Sequence, residues 1–471
     1  MKKSIVVFLM SVFLLSYAAQ ALASSEAEEN PKKIDVSGKI IYRGRWYNLD
    51  FNDDSDRGSL NRKNYYGDIT LTMKFQPIEN VSGCFQFYKQ VYGTGLAQYN
   101  TIQTGETVAG DWAVNEDENW EMTLMQAWGK VDLPFAPVSL KIGRQPLLFG
   151  NGLYLNTGIS KTFAIVADAC LPFAKVSVGT AKLYEGVREA DDDADINFVT
   201  VNKAVGPHNL GLFVAHEKDI SSSEAAPAPA IVDSLERTTT NIGLTGKGKI
   251  GPLTYKAEFD YMVGKDKSTK TVNPTDVDIA GYAFMAGVGL PPLSIFKLGL
   301  EVGLGSGDDV DTKDKNEAYI PPGPFYPYAW AYEYRFIHWI WNSSRFGKGT
   351  VGVREALAPG LENTTYLKAS ARWKLNKWLS GAEQFIYLMA TEPKPIKDNT
   401  GASFDPGKNI GIEIDTIVNC LINKHFSYQF IFAYVLPGNF FDGRIKGFDA
   451  ANKPIEADNA WGIRSQFAFT F

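Results

Sequence analysis

The sequence predicts an all-β fold: a transmembrane antiparallel up-and-down β-barrel of about 18 strands. Three observations predict it. Segments of about 10–15 residues alternate apolar and polar side chains with period two. No unbroken apolar run reaches the roughly 18 residues that a spanning helix needs. The connections run short, long, short, long, as barrel turns and outer loops do.

The strands justify themselves in order along the 471 residues. "KIDVSGKIIYRGRWYN" places Ile34, Val36, Ile40, Tyr42 and Trp46 on one face, with Asp35, Lys39, Arg43 and Arg45 on the other. "YGDITLTMKF" sets Ile69, Leu71, Met73 and Phe75 against Asp68, Thr70, Thr72 and Lys74. "PLTYKAEFDYMV" sets Tyr255, Ala257, Phe259 and Tyr261 against Lys256, Glu258 and Asp260. "SIFKLGLEVGLG" and "TYLKASARWKL" repeat the pattern, with Lys297, Glu301, Lys368, Arg372 and Lys374 on their polar faces. "AWGIRSQFAFTF" ends the chain with Ile463, Phe467, Phe469 and Phe471 alternating with Arg464, Gln466 and Thr470.

Short turns are expected at 76–80, 134–137, 172–174, 206–209, 250–252, 291–294, 375–377 and 423–424. Longer polar links fall at about 50–63, 93–118, 148–161, 186–194, 217–236, 265–277, 306–363, 392–408 and 437–458. The aromatic stretch "YAWAYEYRFIHWIWN" is placed within the 306–363 link, because a further strand would break even parity.

In a bilayer no water satisfies backbone amides, so a spanning sheet must close on itself. The apolar face then meets lipid and the polar face lines the lumen. Tyr42, Trp46, Trp128, Trp373, Trp378 and Tyr434 suit the aromatic girdles at the two interfaces.

The compartment follows from the other terminus. Lys2 and Lys3, an apolar run from Ser4 to about Ala19 and the small-residue site Ala21-Leu22-Ala23 describe a secretory signal peptide, residues 1–23. Residues 24–471 are then one outer-membrane barrel domain, with Phe471 as the aromatic signal read by the outer-membrane assembly machinery.

Composition agrees. Aromatics make up 13% of the chain, with 43 Gly and a net charge of −6, and an acidic balance argues against a nucleic-acid partner. Cys84, Cys170 and Cys420 are too few and too scattered for a disulfide framework. No catalytic constellation and no metal-ligand spacing appears, so neither enzyme activity nor a cofactor is expected. The Asp-rich stretch 307–317 lacks EF-hand spacing.

Parity also lists the lumen. Lys39, Arg43, Arg45, Lys74, Lys141, Lys256, Lys297, Lys368, Arg372, Lys374 and Arg464 point inward, with Asp35, Asp68, Glu258, Asp260, Glu301, Glu413 and Asp415. Basic residues outnumber acidic ones there, which favours anionic solutes.

"VSLKIGRQPLLFGNGLYL" (138–155), "GLGSGDDVD" (303–311) and "NIGIEIDTIVNCLINKHFSYQFIFAYVLPGNFF" (409–441) resemble the alginate-export family of outer-membrane channels. The resemblance implies a monomeric eighteen-stranded barrel whose electropositive constriction passes an anionic polysaccharide. It implies a selectivity role for Arg144 and matches Gly411, Glu413 and Asp415 to a G-x-E-x-D strand, with Pro437-Gly438 as the turn after the next strand. In place of the family's Pro-x-His step stands "FYPYAWAYEY".

The expected function is a passive channel for anionic oligo- or polysaccharides or small organic anions. Its expected path residues are Arg43, Arg45, Arg144, Lys368, Arg372, Lys374, Glu413, Asp415 and Arg464. A periplasmic partner that delivers the solute is compatible with this reading. The alternatives are a general or cation-tolerant porin, in which the acidic residues dominate the narrow point, and a non-transporting barrel acting as enzyme or scaffold.

Overall fold

The computed structural model describes residues 33–48, 62–92, 123–158, 161–184, 193–220, 235–268, 276–309, 311–312, 314–322, 361–393, 395–444 and 446–471. The signal peptide and the aromatic stretch 328–342 lie outside the described residues.

Eighteen long strands form one closed antiparallel sheet. In chain order they are β1 (Lys33–Asn48), β2 (Arg62–Ile78), β3 (Val81–Tyr92), β4 (Thr123–Asp132), β5 (Val138–Gln145) and β6 (Thr162–Cys170). Next come β7 (Lys175–Tyr184), β8 (Ala194–Val205), β9 (His208–Asp219), β10 (Leu235–Ile250), β11 (Leu253–Ser268) and β12 (Asp276–Gly289). The ring continues through β13 (Phe296–Gly305), β14 (Thr364–Lys374), β15 (Leu379–Ala390), β16 (Asn409–Leu421), β17 (Phe426–Pro437) and β18 (Ala460–Thr470).

Each strand pairs with its chain neighbours, and β18 pairs with β1 in the register Lys39↔Thr470 to Asn48↔Trp461. Two backbone hydrogen bonds extend the seam: Gly38 N–H donates to the Phe471 carbonyl at 2.9 Å, and Phe471 N–H to the Gly38 carbonyl at 3.1 Å. Closure leaves no edge, which is what a sheet surrounded by hydrocarbon requires.

All eight expected short turns join strand pairs at one end of the barrel, from β2–β3 to β16–β17. At the other end the links are long. Several strands run further into them than the composition suggests: β9 reaches Asp219, β11 reaches Ser268 and β10 starts at Leu235. The backbone of these polar extensions stays paired in the ladder, so the strands continue past the lipid-facing band.

The outer surface is apolar. Phe467, Phe469, Phe259, Tyr261, Leu300, Leu367 and Phe385 all stand exposed on it, the pattern of side chains that face acyl chains rather than water. Trp128 is a correction to the girdle assignment. Its register partner is the inward Gly143, and the Lys141 ammonium lies 3.9 Å from its ring centroid. It therefore lines the lumen.

The core sits inside the barrel, against the wall. The segment after β5 folds inward, burying Leu147, Phe149, Tyr154 and Leu155 against Ala164, Ile196, Phe198 and Phe213. Residues 318–320 after β13 and Phe440–Phe441 after β17 fill the adjoining part of the lumen against Met285, Tyr366, Ile386 and Val435. The link after β13 thus enters the pore with its first described residues.

Two outer links lock together. The Asp398 carboxylate accepts hydrogen bonds from Thr400 N–H at 2.8 Å, Thr400 Oγ1 at 2.7 Å and Ala402 N–H at 2.9 Å. It also accepts from Asn452 Nδ2 at 2.6 Å, and Phe404 packs edge-on to Phe448 with ring centroids 5.3 Å apart.

Candidate functional site

The period of two, in registers that run without a shift through these positions, puts all eighteen parity-assigned charges on the inner face of the wall. Three arginines gather at the seam. The Arg43 guanidinium pairs with Asp68, and its Nε donates to Gln466 Oε1 at 2.8 Å. Tyr88 donates to the other Asp68 oxygen at 2.8 Å. The guanidinium carbons of Arg43 and Arg45 lie 5.3 and 4.6 Å from the Tyr66 ring centroid, a cation–π stack that holds both side chains against the wall. Arg464 stands directly across the seam from Arg45 and donates to Gln429 Oε1 at 2.7 Å.

A second basic group spans β11, β13 and β14. Glu301 receives the Lys256 ammonium at 2.6 Å, the Lys368 ammonium at 3.0 Å and the Tyr366 hydroxyl at 2.7 Å. Two lysines share one carboxylate, so the group keeps a net positive charge. Arg372 faces inward beside Lys297, and Lys374 follows two residues later at the short-turn end; all three are exposed.

The acids behave differently. Glu258, Asp260, Glu413 and Asp415 are at most 1% exposed. On β11, Glu258 accepts the backbone N–H of Asn151, and Asp260 accepts the Tyr319 hydroxyl at 2.8 Å. Beside them Glu217 on β9 accepts from Thr239 at 3.0 Å, and Arg237 donates to the Ile320 carbonyl at 2.6 Å. Glu258 and Asp260 thus hold the inward segments to the wall and are covered by them. In a ring of eighteen, β10 lies nine strands from β1 in either direction. The acidic group of β9–β11 therefore sits across the barrel from the arginine seam, whereas Glu413 and Asp415 on β16 lie three strands from β1.

Arg144 is a correction. Its register partner on β6 is Phe163, which is 52% exposed on the outer face, while the flanking Gly143 and Gln145 pair with inward residues. Arg144 lies on the lipid side at the end of β5, where it cannot line a constriction. Asn151, Tyr319, Tyr154, Glu217 and Arg237 are the site residues the sequence analysis missed. The apolar "LYL" after Gly152 and the "AYI" at 318–320, each inside a polar link, were the available signals.

No protein-family model matches the chain, and no curated protein matches it. Solved structures do. The chain is similar to OccK2 (OpdF) of Pseudomonas aeruginosa, crystallised in complex with glucuronate, with TM-score 0.54 and 9% identity over 93% of this chain and 98% of that one. It is also similar to OccK11 (OpdR) of Pseudomonas aeruginosa, with TM-score 0.50 and 9% identity over 93% of this chain and 96% of that one. At such identity the likeness concerns the fold, an outer-membrane porin-type barrel.

Proposed function

We propose that this barrel is an outer-membrane channel that passively passes anionic solutes, from small organic anions to acidic oligo- or polysaccharides. One observation carries the reading. Of the seven parity-assigned acids, Glu258, Asp260, Glu413 and Asp415 are buried and Asp68 and Glu301 are paired with basic side chains, which leaves Asp35 exposed, whereas Lys39, Lys74, Lys297, Arg372 and Lys374 are exposed and the seam arginines keep a positive surplus. A pore selects through the charges its water can reach, so the basic residues set the selectivity. The cation-tolerant alternative required the acids to dominate that path, and their burial weighs against it.

Glucuronate, the anion bound to OccK2, exemplifies the solute class. The resemblance of 138–155, 303–311 and 409–441 to the alginate-export family supports an acidic polysaccharide as one such solute. The channel uses no cofactor and performs no catalysis. It acts as a monomer in outer-membrane lipid, and the assembly machinery reads Phe471 on insertion. A periplasmic partner that delivers the solute fits the basic residues exposed at the short-turn end. Reversal potentials under a KCl gradient in planar bilayers test the reading: an anion-selective current is expected, and a cation-selective pore or a barrel without conductance rejects it.

A further inference from the structure

Beneath the inward segment after β5, the inner face of β8–β10 holds a pocket of about 110 Å³. At ~10–15 Å³ per water on this measure, it holds several waters. Phe149 and Phe213 close it on one side. Its polar lining is Asn151, Thr200, Asn202, Asn209, Thr245 and Lys247. The last five point inward by register, two from β8, one from β9 and two from β10. Among the described residues no hydrogen bond satisfies the side chains of Thr200, Asn202, Asn209 or Lys247. Asn202, Asn209 and Lys247 are exposed to the lumen, so these donors and acceptors are presented to a solute within it.

Gly211 makes the convergence possible. A Cβ at that position would collide with Thr245 Oγ1 and would lie 2.9 Å from Asn202 Oδ1. Its absence leaves the space into which both groups point.

The lining is mostly neutral. Each Asn amide offers two donors and an acceptor side by side, and each Thr hydroxyl offers both roles, which suits adjacent hydroxyl groups. No carboxylate lines the pocket to hold a cation. The single cation is the point charge of Lys247, without the planar fork that grips a carboxylate. Together with an aromatic wall, this is chemistry that recognises hydroxyls first and charge second.

We infer that this niche is a docking subsite for a polyhydroxylated solute of monosaccharide size, recognised through its hydroxyl groups and not through its charge. The inference rests on the lumen being water-filled and goes beyond anion selectivity, because a neutral sugar would dock there as well as an acidic one. A solute held at this point spends longer in the pore, at the cost of a slower exit.

Titration calorimetry on the detergent-solubilised barrel tests it with glucose, sorbitol, gluconate and succinate. Glucose, sorbitol and gluconate are expected to bind within threefold of one another, and succinate at least tenfold more weakly. Asn202→Ala and Asn209→Ala are each expected to weaken glucose binding tenfold or more, with an unchanged reversal potential in KCl. Binding that follows charge, with gluconate and succinate bound and glucose not, overturns the inference. So does the absence of binding by any of the four, or full glucose affinity in both variants. Since calorimetry needs no conductance, a failed channel reading shows separately, in the bilayer current.

Discussion

Arg45 on the first strand and Arg464 on the last stand directly opposite each other across the seam that closes the barrel. Like charges facing each other across a ladder destabilise it. The wall accommodates them by stacking Arg45 on Tyr66 and hydrogen-bonding Arg464 to Gln429. A pair that costs stability yet is held in place so specifically fits the proposed solute path.

Replacing either arginine by Ser should therefore reduce anion selectivity without unfolding the barrel. A unit charge acting over roughly 10 Å of water is worth about 0.4 kcal/mol, or about twofold in relative permeability. Reversal potentials should shift toward the cation side by that amount for R45S and by less for R464S, since Arg464 is only 7% exposed. Arg144→Ser, on the outer face, should leave them unchanged; an equal shift there would return Arg144 to the path.

Glu258 should control how far the lumen is narrowed. It accepts the backbone N–H at Asn151, the tip of the inward segment, a hydrogen bond worth about 0.5–1.5 kcal/mol. Glu258→Ala should free the tip and raise single-channel conductance, whereas Glu258→Gln, which still accepts a hydrogen bond, should change it less. Equal conductance in the two variants would mean that apolar packing alone holds the segment.

Gly38 should resist substitution because the Phe471 ring lies where a Cβ would stand. Gly38→Ala should destabilise the closed barrel by about 1–3 kcal/mol, as overpacking does. The change would be read as a lower fraction of compact, fast-migrating protein on unheated gels. Adding Phe471→Ala should restore much of the loss; simple additivity would show that the two positions do not meet.

The locked outer links should survive acid. Hydrogen bonds from Thr400 and Asn452, with the backbone N–H groups of Thr400 and Ala402, pull the Asp398 carboxyl from its ordinary 3.8 down to about 2. A depressed pKa stabilises the ionised folded form, a contribution fully present above about pH 4 and lost as pH falls through about 2. Hydrogen exchange at Thr400 and Ala402 should stay slow at pH 4 and accelerate toward pH 2. In Asp398→Asn the pH dependence should vanish.

Much of this was legible in the sequence, for a physical reason. A strand has a side-chain period of two, so once Lys39 or Lys368 is known to face inward, its neighbours follow without tertiary information. Turns such as Gly206-Pro207 and Gly251-Pro252 declare themselves locally. The same parity, counted from Lys141, places Arg144 outward; only the family resemblance suggested otherwise. What parity cannot reach is the path of a long link. Nothing local says that Asn151 will meet Glu258, 107 positions away, or that Tyr319 will bond to Asp260. Those contacts exist because the closed wall offers buried carboxylates and apolar patches at the right height. Until the wall forms, neither surface exists.

The seam joins partners 423 positions apart in the chain, Arg43 and Gln466 among them. Such a contact has no local precursor and is intrinsically slow to form. The arginine stripe is thus a property of the finished ring: an assembly intermediate still missing its final staves holds Arg43 and Arg45 without Gln466 or Arg464. A half-inserted chain would lack the seam's share of the lumenal positive charge, which is completed only when the cylinder is sealed.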